Sequence, residues 1–372
     1  MSEQEQPDYR FFNFNQTSHD HVGHALGLAD PPFQRQAWWA RPAPMPFAQS
    51  CFDVVRQLHP SLIDEFRAYA DAQQWHVQDL WQQCCRVNLK AHIRAKTLED
   101  QGEGCSTFVW YPPPTMSVGQ YSYARSRYAL IGRNYDYWPM QARRQRLRFV
   151  PHSHAYATIG ARGGVPGGRY DGLNEHGLWA SLHVVMTDNP TEDEVPAGVP
   201  FHVVCRMALE LCRTAREAVD LLLNIPHLSS LNYLLADPHE AFVVEADPRR
   251  VRAMPMEGSR MAATNHYRHP DMQPLQGQRQ HTNSACRLNF LLDEHAETIT
   301  STNDEATWLD YAEKVMADRT APVCGNSGAL TTLWSCVAEL GSGLVRYAPG
   351  QPTSTPFEEI EPVSRTGVAV AK

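Results

Sequence analysis

Cys105 is the residue of this sequence best placed to do covalent chemistry. It follows Gly104 at the end of an acidic, glycine-containing stretch, LEDQGEG (98–104), and opens the run CSTFVWY. A thiol is a few per cent thiolate at neutral pH and needs little activation to act as a nucleophile. Scission of the Gly104–Cys105 bond would free an α-amine on Cys105. Such an amine titrates near pH ~7.7–8, so its neutral form can take the thiol proton. One residue then supplies both nucleophile and base. Gly104 suits the scission, because a residue without Cβ lets the thiol approach the preceding carbonyl. A lone cysteine in an apolar run is equally the mark of a small buried hydrophobe, so the assignment needs partners.

Three further segments offer them. In GRNYDY (132–137), Asp136 can hold the new amine and Arg133 can orient it or bind polar atoms of a substrate. The plainer alternative for these two is a surface ion pair. In ATNHY (263–267), Asn265 carries an amide NH2, a neutral donor suited to an oxyanion. His266 beside it invites a Cys–His pairing or a substrate contact. In SACRLNFLLD (284–293), Arg287 sits one turn into a helical pattern and could pin a substrate carboxylate or the cleavage junction.

The elements that must position these residues read as follows. Residues 1–50 are rich in Pro, Gln and aromatics. Leu62, Phe66 and Tyr69-Ala70 recur at helical spacing after a start at Pro60-Ser61, and Trp75, Val77, Leu80 and Trp81 continue the pattern after a break at Gln73-Gln74. Acidic residues and two glycines then predict an exposed loop at 98–104. Strands are expected over 105–111, 128–135 and 179–185. A hairpin is expected at 233–245 about Asp237-Pro238, and a closing hairpin at 330–349 about Gly341–Gly343. Helices are expected over 200–224, 284–295 and 304–317. Strands and helices do not alternate, which favours antiparallel sheets layered with helices: an α+β chain with a mainly helical segment 1–104 before a catalytic region 105–372.

Several classes are set aside. The chain of 372 residues carries a net charge of −8, from 33 basic and 41 acidic residues, with no long basic run to hold nucleic acid. Arg143, Arg144, Arg146 and Arg148 read as a solvated basic turn or strand edge. No segment has the length of apolar residues that a membrane span needs. The polar, acidic start does not read as a secretory signal, and nine cysteines without regular spacing read as reduced thiols, so a cytoplasmic protein is expected. No HExxH or CxxC pattern occurs. The clusters His19-His21-His24 and His152-His154 lack ligand-spaced partners, so no metal is expected. GARGGVPGG (160–168) has the glycines of a phosphate loop without its Lys-Ser/Thr ending. Asp171, Asn174 and Gly177 read as shaping a tight strand connection, and Trp38, Trp39, Trp75 and Trp81 as packing.

The order of GCST, GRNYDY, DGLNEHGL, ATNHY, SACRLNFLLD and TLWSCVAEL…YAPGQP resembles the acyl-coenzyme A:6-aminopenicillanate acyltransferase family. That family sits among the N-terminal-nucleophile hydrolases with the bile-salt and penicillin V amidases. GHALG (23–27) and HPSLIDEFRAYADA (59–72) extend the resemblance to residues 18–358. It implies a four-layer αββα fold with two stacked antiparallel sheets. It implies autocatalytic cleavage at Gly104–Cys105 into two fragments that stay associated. Carried over by motif, Cys105 is the nucleophile, Asp136 holds its α-amine, Arg133 supports both, and Asn265 donates to the oxyanion. Arg287 lies near the site. The activity implied is amide hydrolysis or acyl transfer to an amine through a thioester on Cys105. The substrate would be a small amide or acyl thioester. No cofactor is needed, an acyl-coenzyme A being a candidate donor. Ser106 replaces the threonine common after the nucleophile. WASLHVV places His183 or Val184 where bile-salt-type relatives have an asparagine, which leaves the second oxyanion donor open. Two alternatives remain at this point: a papain-like Cys105–His266 hydrolase without self-cleavage, and an inactive binding protein on the same fold.

Overall fold

The computed structural model describes residues 9–31, 43–94, 104–111, 117–118, 121–122, 129–137, 144–152, 154–162, 166–188, 195–277, 281–293, 306–325 and 330–363. The loop expected before Gly104 lies outside these residues, as do Trp38, Trp39 and Arg143.

Two sheets face each other. The first has eight strands, in the order β1 (Tyr9–Thr17), β6 (Arg144–Pro151), β7 (Thr158–Arg162), β8 (Asp171–Asn174), β9 (Trp179–Val184), β10 (Leu231–Ala236), β11 (Ala241–Asp247) and β12 (Arg250–Pro255). The second has six: β13 (Arg260–Ala263), β2 (Ser106–Trp110), β5 (Leu130–Tyr137), β14 (Thr331–Glu339), β15 (Leu344–Ala348) and β16 (Glu358–Ile360). Two short strands, β3 (Ser117–Val118) and β4 (Tyr121–Ser122), pair with each other. Helices α5 (Phe201–Leu211) and α6 (Ala215–Asn224) cover the first sheet, and α7 (Thr282–Leu292) and α8 (Ala306–Met316) cover the second. The result is the expected α+β fold of four layers, αββα.

Side-chain alternation along β2 explains the layering. Phe108 and Trp110 point to α7 and α8, meeting Leu288, Trp308 and Met316. Cys105 and Val109 point into the core between the sheets. Both faces of β2 are therefore buried, which is why CSTFVWY reads as a continuous apolar run. The two hairpins form as expected, β10–β11 and β14–β15.

The N-terminal segment is helical, as expected, with one addition. Helices α1 (His19–Ala29), α2 (Met45–Leu58), α3 (Pro60–Ala72) and α4 (Val77–Arg94) pack together. Trp81 of α4 stands edge-on to Phe52 and Phe66 at 5.5 and 4.8 Å, a geometry the ring quadrupoles favour. The addition is β1, which joins the first sheet as a parallel neighbour of β6. In FFNFN, Phe12 and Phe14 lean on the core while Asn13 accepts a hydrogen bond from Arg148. The expectation of a solvated basic stretch is overturned in the same place. β6 lies between β1 and β7, so Arg146 and Arg148 are buried, and Arg146 Nη1 donates to Asp171 Oδ1 at 3.1 Å.

A buried charge cluster joins the N-terminal helices to the first sheet and α5. Arg162 grips Asp30 with two bonds of 2.9 and 2.6 Å. Arg206 grips Glu65 at 2.6 and 2.5 Å and donates its Nε to Glu210 at 2.8 Å. The other oxygen of Glu210 lies 2.9 Å from His19 Nε2 and 2.8 Å from His59 Nε2. Arg169 is buried beside them, and burial together with the Arg206 charge pulls its pKa down to about 9. His19, His59 and Glu210 are the one metal-compatible donor set among the described residues. Charge argues against that use. Asp30, Glu65 and Glu210 are already matched by Arg162, Arg169 and Arg206, and Arg206 holds the carboxylate a cation would need. The cluster is a hydrogen-bonded clasp.

Candidate active site

Gly104 and Cys105 lie buried at the entry to β2, Cys105 at 3% exposure. The thiol reaches towards β5, its Sγ 3.9 Å from the carbonyl oxygen of Asp136. Strand β5 runs antiparallel to β2, with Thr107 opposite Arg133 and Ser106 opposite Asn134. Residues 133 and 136 lie on opposite faces of β5, because strand side chains alternate. Both are fully buried, so the surface ion pair is excluded.

Asp136 turns to the helix side and packs against Gly104. A Cβ added at Gly104 would overlap its carboxylate, and so would one added at Gly325. Neither carboxylate oxygen makes a hydrogen bond of good geometry. Burial therefore dominates and pushes the Asp136 pKa up to about 7. The Thr332 hydroxyl, the Arg287 and Arg133 charges and the Gly325 N–H favour the charged form without reversing this.

Arg287 ties the segments together. Its Nη1 donates to the Cys105 carbonyl and to Ser106 Oγ, both at 2.8 Å, and its Nη2 donates to Asn265 Oδ1 at 3.1 Å. Asn283, one turn earlier in α7, accepts from its Nε at 2.8 Å. Ser106 Oγ in turn donates to the Gly104 carbonyl at 3.4 Å, the group a self-cleaving thiol must attack. Burial lowers the Arg287 pKa, opposed by the Asp136 charge.

Asn265 follows β13. Its Nδ2 donates to the Val184 carbonyl at 2.8 Å, which uses one of that nitrogen's two hydrogens and leaves the other. Arg133 lies between the sheets, donating to the Leu182 carbonyl at 2.8 Å and to Thr107 Oγ1 at 3.4 Å, over the Tyr135 ring. His183 is not a free oxyanion donor. Its Nε2 meets Thr107 Oγ1 at 2.8 Å and its Nδ1 meets the Asn232 carbonyl at 3.2 Å. Burial and the Arg133 charge hold its pKa well below the usual histidine range. His266 is turned to Ser284, its Nδ1 2.7 Å from the hydroxyl, and stacks on His281. Burial and the His281 and Arg287 charges lower its pKa to about 4.

The structure thus brings Cys105, Asp136, Asn265 and Arg287 together and sets Arg133 on the inter-sheet side. Asp171, Asn174 and Gly177 are structural, as expected. Asp171 accepts from Arg146 and from Trp334 Nε1, Asn174 bonds both arms of its turn, and Gly177 takes φ +81°. Sequence reading missed Ser106 as a contact of the Gly104 carbonyl. It also missed Asn232 and Glu245, whose signal is a polar residue set among apolar neighbours in each of two strands, LNYLLA and AFVVEAD.

The family model of acyl-coenzyme A:6-aminopenicillanic acid acyl-transferase matches residues 124–353, more than half of the chain. No curated protein matches the sequence. Among solved structures, the chain is similar to a Caenorhabditis elegans ortholog of N-acylethanolamine-hydrolyzing acid amidase, at 17% identity and a TM-score of 0.44, over 64% of this chain and 93% of that one. It is similar to penicillin V acylase from Agrobacterium tumefaciens, at 17% identity and a TM-score of 0.45, over 66% and 83%. A mutant conjugated bile acid hydrolase from Clostridium perfringens gives 15% identity and a TM-score of 0.42, over 69% and 96%.

Proposed function

The chain belongs to the acyl-coenzyme A:6-aminopenicillanic acid acyl-transferase family, and from that premise we propose that it is a self-processing cysteine amidohydrolase or acyltransferase whose nucleophile is Cys105. The observation that carries the reading is the Asp136 carboxylate, buried without a well-formed hydrogen bond against Gly104. An isolated buried carboxylate costs several kcal/mol unless a cation reaches it. Cleavage of the Gly104–Cys105 bond creates a cation, the Cys105 α-ammonium, one bond from Gly104.

In the first step the Cys105 thiol attacks the Gly104 carbonyl. Ser106 Oγ, itself polarised by Arg287, donates to that oxygen. The adduct collapses by breaking the Gly104–Cys105 C–N bond, and the nitrogen takes the thiol proton to become the free α-amine. The Gly104 acyl group stays on sulfur as a thioester, and water then hydrolyses that thioester and releases residues 1–104. In turnover the amine takes the thiol proton and the thiolate attacks the substrate's acyl carbon. The second hydrogen of Asn265 Nδ2 serves the oxyanion. The leaving amine or thiol takes the proton from the α-ammonium, and the thioester is resolved by water or by an amine. The donor is a small amide or an acyl thioester such as an acyl-coenzyme A, and no cofactor takes part. The clasp and β1 support retention of the N-terminal fragment as a subunit. The need for a reduced thiol supports a cytoplasmic setting. Among the described residues, no helix is long and apolar enough to cross a membrane.

Intact-mass measurement tests the first step. The wild type is expected as two fragments split after Gly104, and Cys105→Ala as one chain. A fully active wild type of uncut mass overturns the proposal. A screen of amides and acyl thioesters, read as acyl mass on the Cys105 peptide, then identifies the donor.

A further inference from the structure

Three polar residues form a row across the first sheet. His183 on β9, Asn232 on β10 and Glu245 on β11 are direct cross-strand partners, so their side chains share one face. All three are buried, a costly arrangement for polar side chains unless they meet partners. Each finds a partner in the active site or in the loop that carries it. His183 bonds Thr107, two residues beyond the nucleophile. Asn232 Nδ2 donates to the Thr264 carbonyl at 2.9 Å and to the His266 carbonyl at 2.8 Å, the two residues that flank Asn265. Glu245 accepts the N–H of Arg268 at 2.6 Å and of His269 at 3.1 Å, fixing the next stretch of the same loop.

We propose that Asn232 and Glu245 are positioning residues for acyl transfer: they clamp the 264–269 loop so that Asn265 presents its amide to the oxyanion, while His183 holds the nucleophile strand from the same row. The inference rests on Cys105 and Asn265 having the roles proposed above. An amide that must donate to a charge which exists only in the transition state needs its backbone fixed in advance. Here one nitrogen holds both flanking carbonyls, so the loop cannot rotate about Asn265 without breaking a bond. Asn232→Asp keeps the shape and removes both donors.

The test compares two reactions at Cys105. Acylation by p-nitrophenyl butyrate forms the C–S bond, breaks the ester C–O bond, releases p-nitrophenolate and passes the thiol proton to the α-amine. It goes through an oxyanion. Alkylation by iodoacetamide forms a C–S bond, breaks the C–I bond, releases iodide and passes the thiol proton to the same α-amine, with no oxyanion. Asn232→Asp is expected to slow acylation about a hundredfold, the usual worth of one oxyanion donor. Alkylation should stay within about twofold, and the same change in an Asn265→Ala background should add little, because both act through one group. Glu245→Gln, which keeps one acceptor, is expected to slow acylation about tenfold and serves if Asn232→Asp does not fold. Equal loss of acylation and alkylation, unchanged acylation, or full additivity with Asn265→Ala overturns the clamp. A wild type whose Cys105 is never acylated overturns the function itself, a result distinct from these.

Discussion

Two of the buried charged clusters among the described residues are built in opposite ways. In the clasp, Asp30, Glu65 and Glu210 each meet a guanidinium at 2.5–2.9 Å. At the site, Asp136 meets two glycines and no well-formed hydrogen bond. Burial works against the charge on Glu65 and Glu210, yet the Arg206 charge and the hydrogen bonds they accept together outweigh it and both pKa values fall. Burial works against Asp136 and wins, and its pKa rises. A matched cluster stabilises a fold, whereas an unmatched one stores free energy that a later chemical step can release. The same two facts give opposite pH behaviour. Clasp carboxylates stabilise the protein above their ordinary pKa, and that contribution is lost as pH falls below about 4.5. Asp136 destabilises the uncleaved chain as pH rises from about 4 to about 7.

The contrast breaks most visibly at Arg206. Arg206→Met leaves Glu65 and Glu210 buried without their cation, at an expected cost of about 3–5 kcal/mol. Urea unfolding at pH 7 measures it, and a loss under about 1 kcal/mol would mean the clasp is ornamental. Adding Glu65→Met removes one of the two stranded charges, so the double variant should regain part of the loss.

The next effect is a gain. In a Cys105→Ala background, which keeps the chain uncut, Asp136→Asn removes a penalised charge. The shift from 3.8 to about 7 corresponds to roughly 4 kcal/mol at pH 8 and little at pH 4. Cys105→Ala alone should lose thermal stability between pH 4 and pH 8 relative to the double variant. Parallel melting profiles would show that Asp136 is satisfied in the uncut chain and stores no free energy for a later step.

What the sequence makes legible follows from distance along the chain. Strand β2, both hairpins and the helices from Pro60 onward announce themselves by local periodicity and turn residues. So do Cys105, Asp136, Asn265 and Arg287, because each lies in a compact motif. β1 does not, since its Phe-Asn alternation matters only once β6 lies beside it. The basic run at Arg146 and Arg148 reads as solvated for the same reason: its neutralising partner, Asp171, is 25 residues away from Arg146. The clasp gathers residues separated by as many as 191 positions, from His19 to Glu210, and no window of sequence contains it. Asn232 and Glu245 lie between these extremes. Each is a polar residue set among apolar neighbours in a strand of one hairpin, and pairing the two strands about Asp237-Pro238 is enough to set them side by side.

The smallest expected effect separates two uses of a neighbouring histidine. A papain-like enzyme needs His266 as the proton acceptor of Cys105, and its loss would cost several orders of magnitude. Here the imidazole bonds Ser284, and its pKa of about 4 keeps it neutral at working pH. Ser284 retains Thr264 and the Asn265 N–H as partners when the ring is gone. His266→Gln should therefore change Cys105 acylation by about fivefold or less, the worth of one hydrogen bond. Its pH–rate profile should keep the wild-type limb near pH ~8 that belongs to an α-amine. Disappearance of that limb together with a large rate loss would hand the proton to His266, and Asp136 would then be an unmatched charge with no reaction to serve.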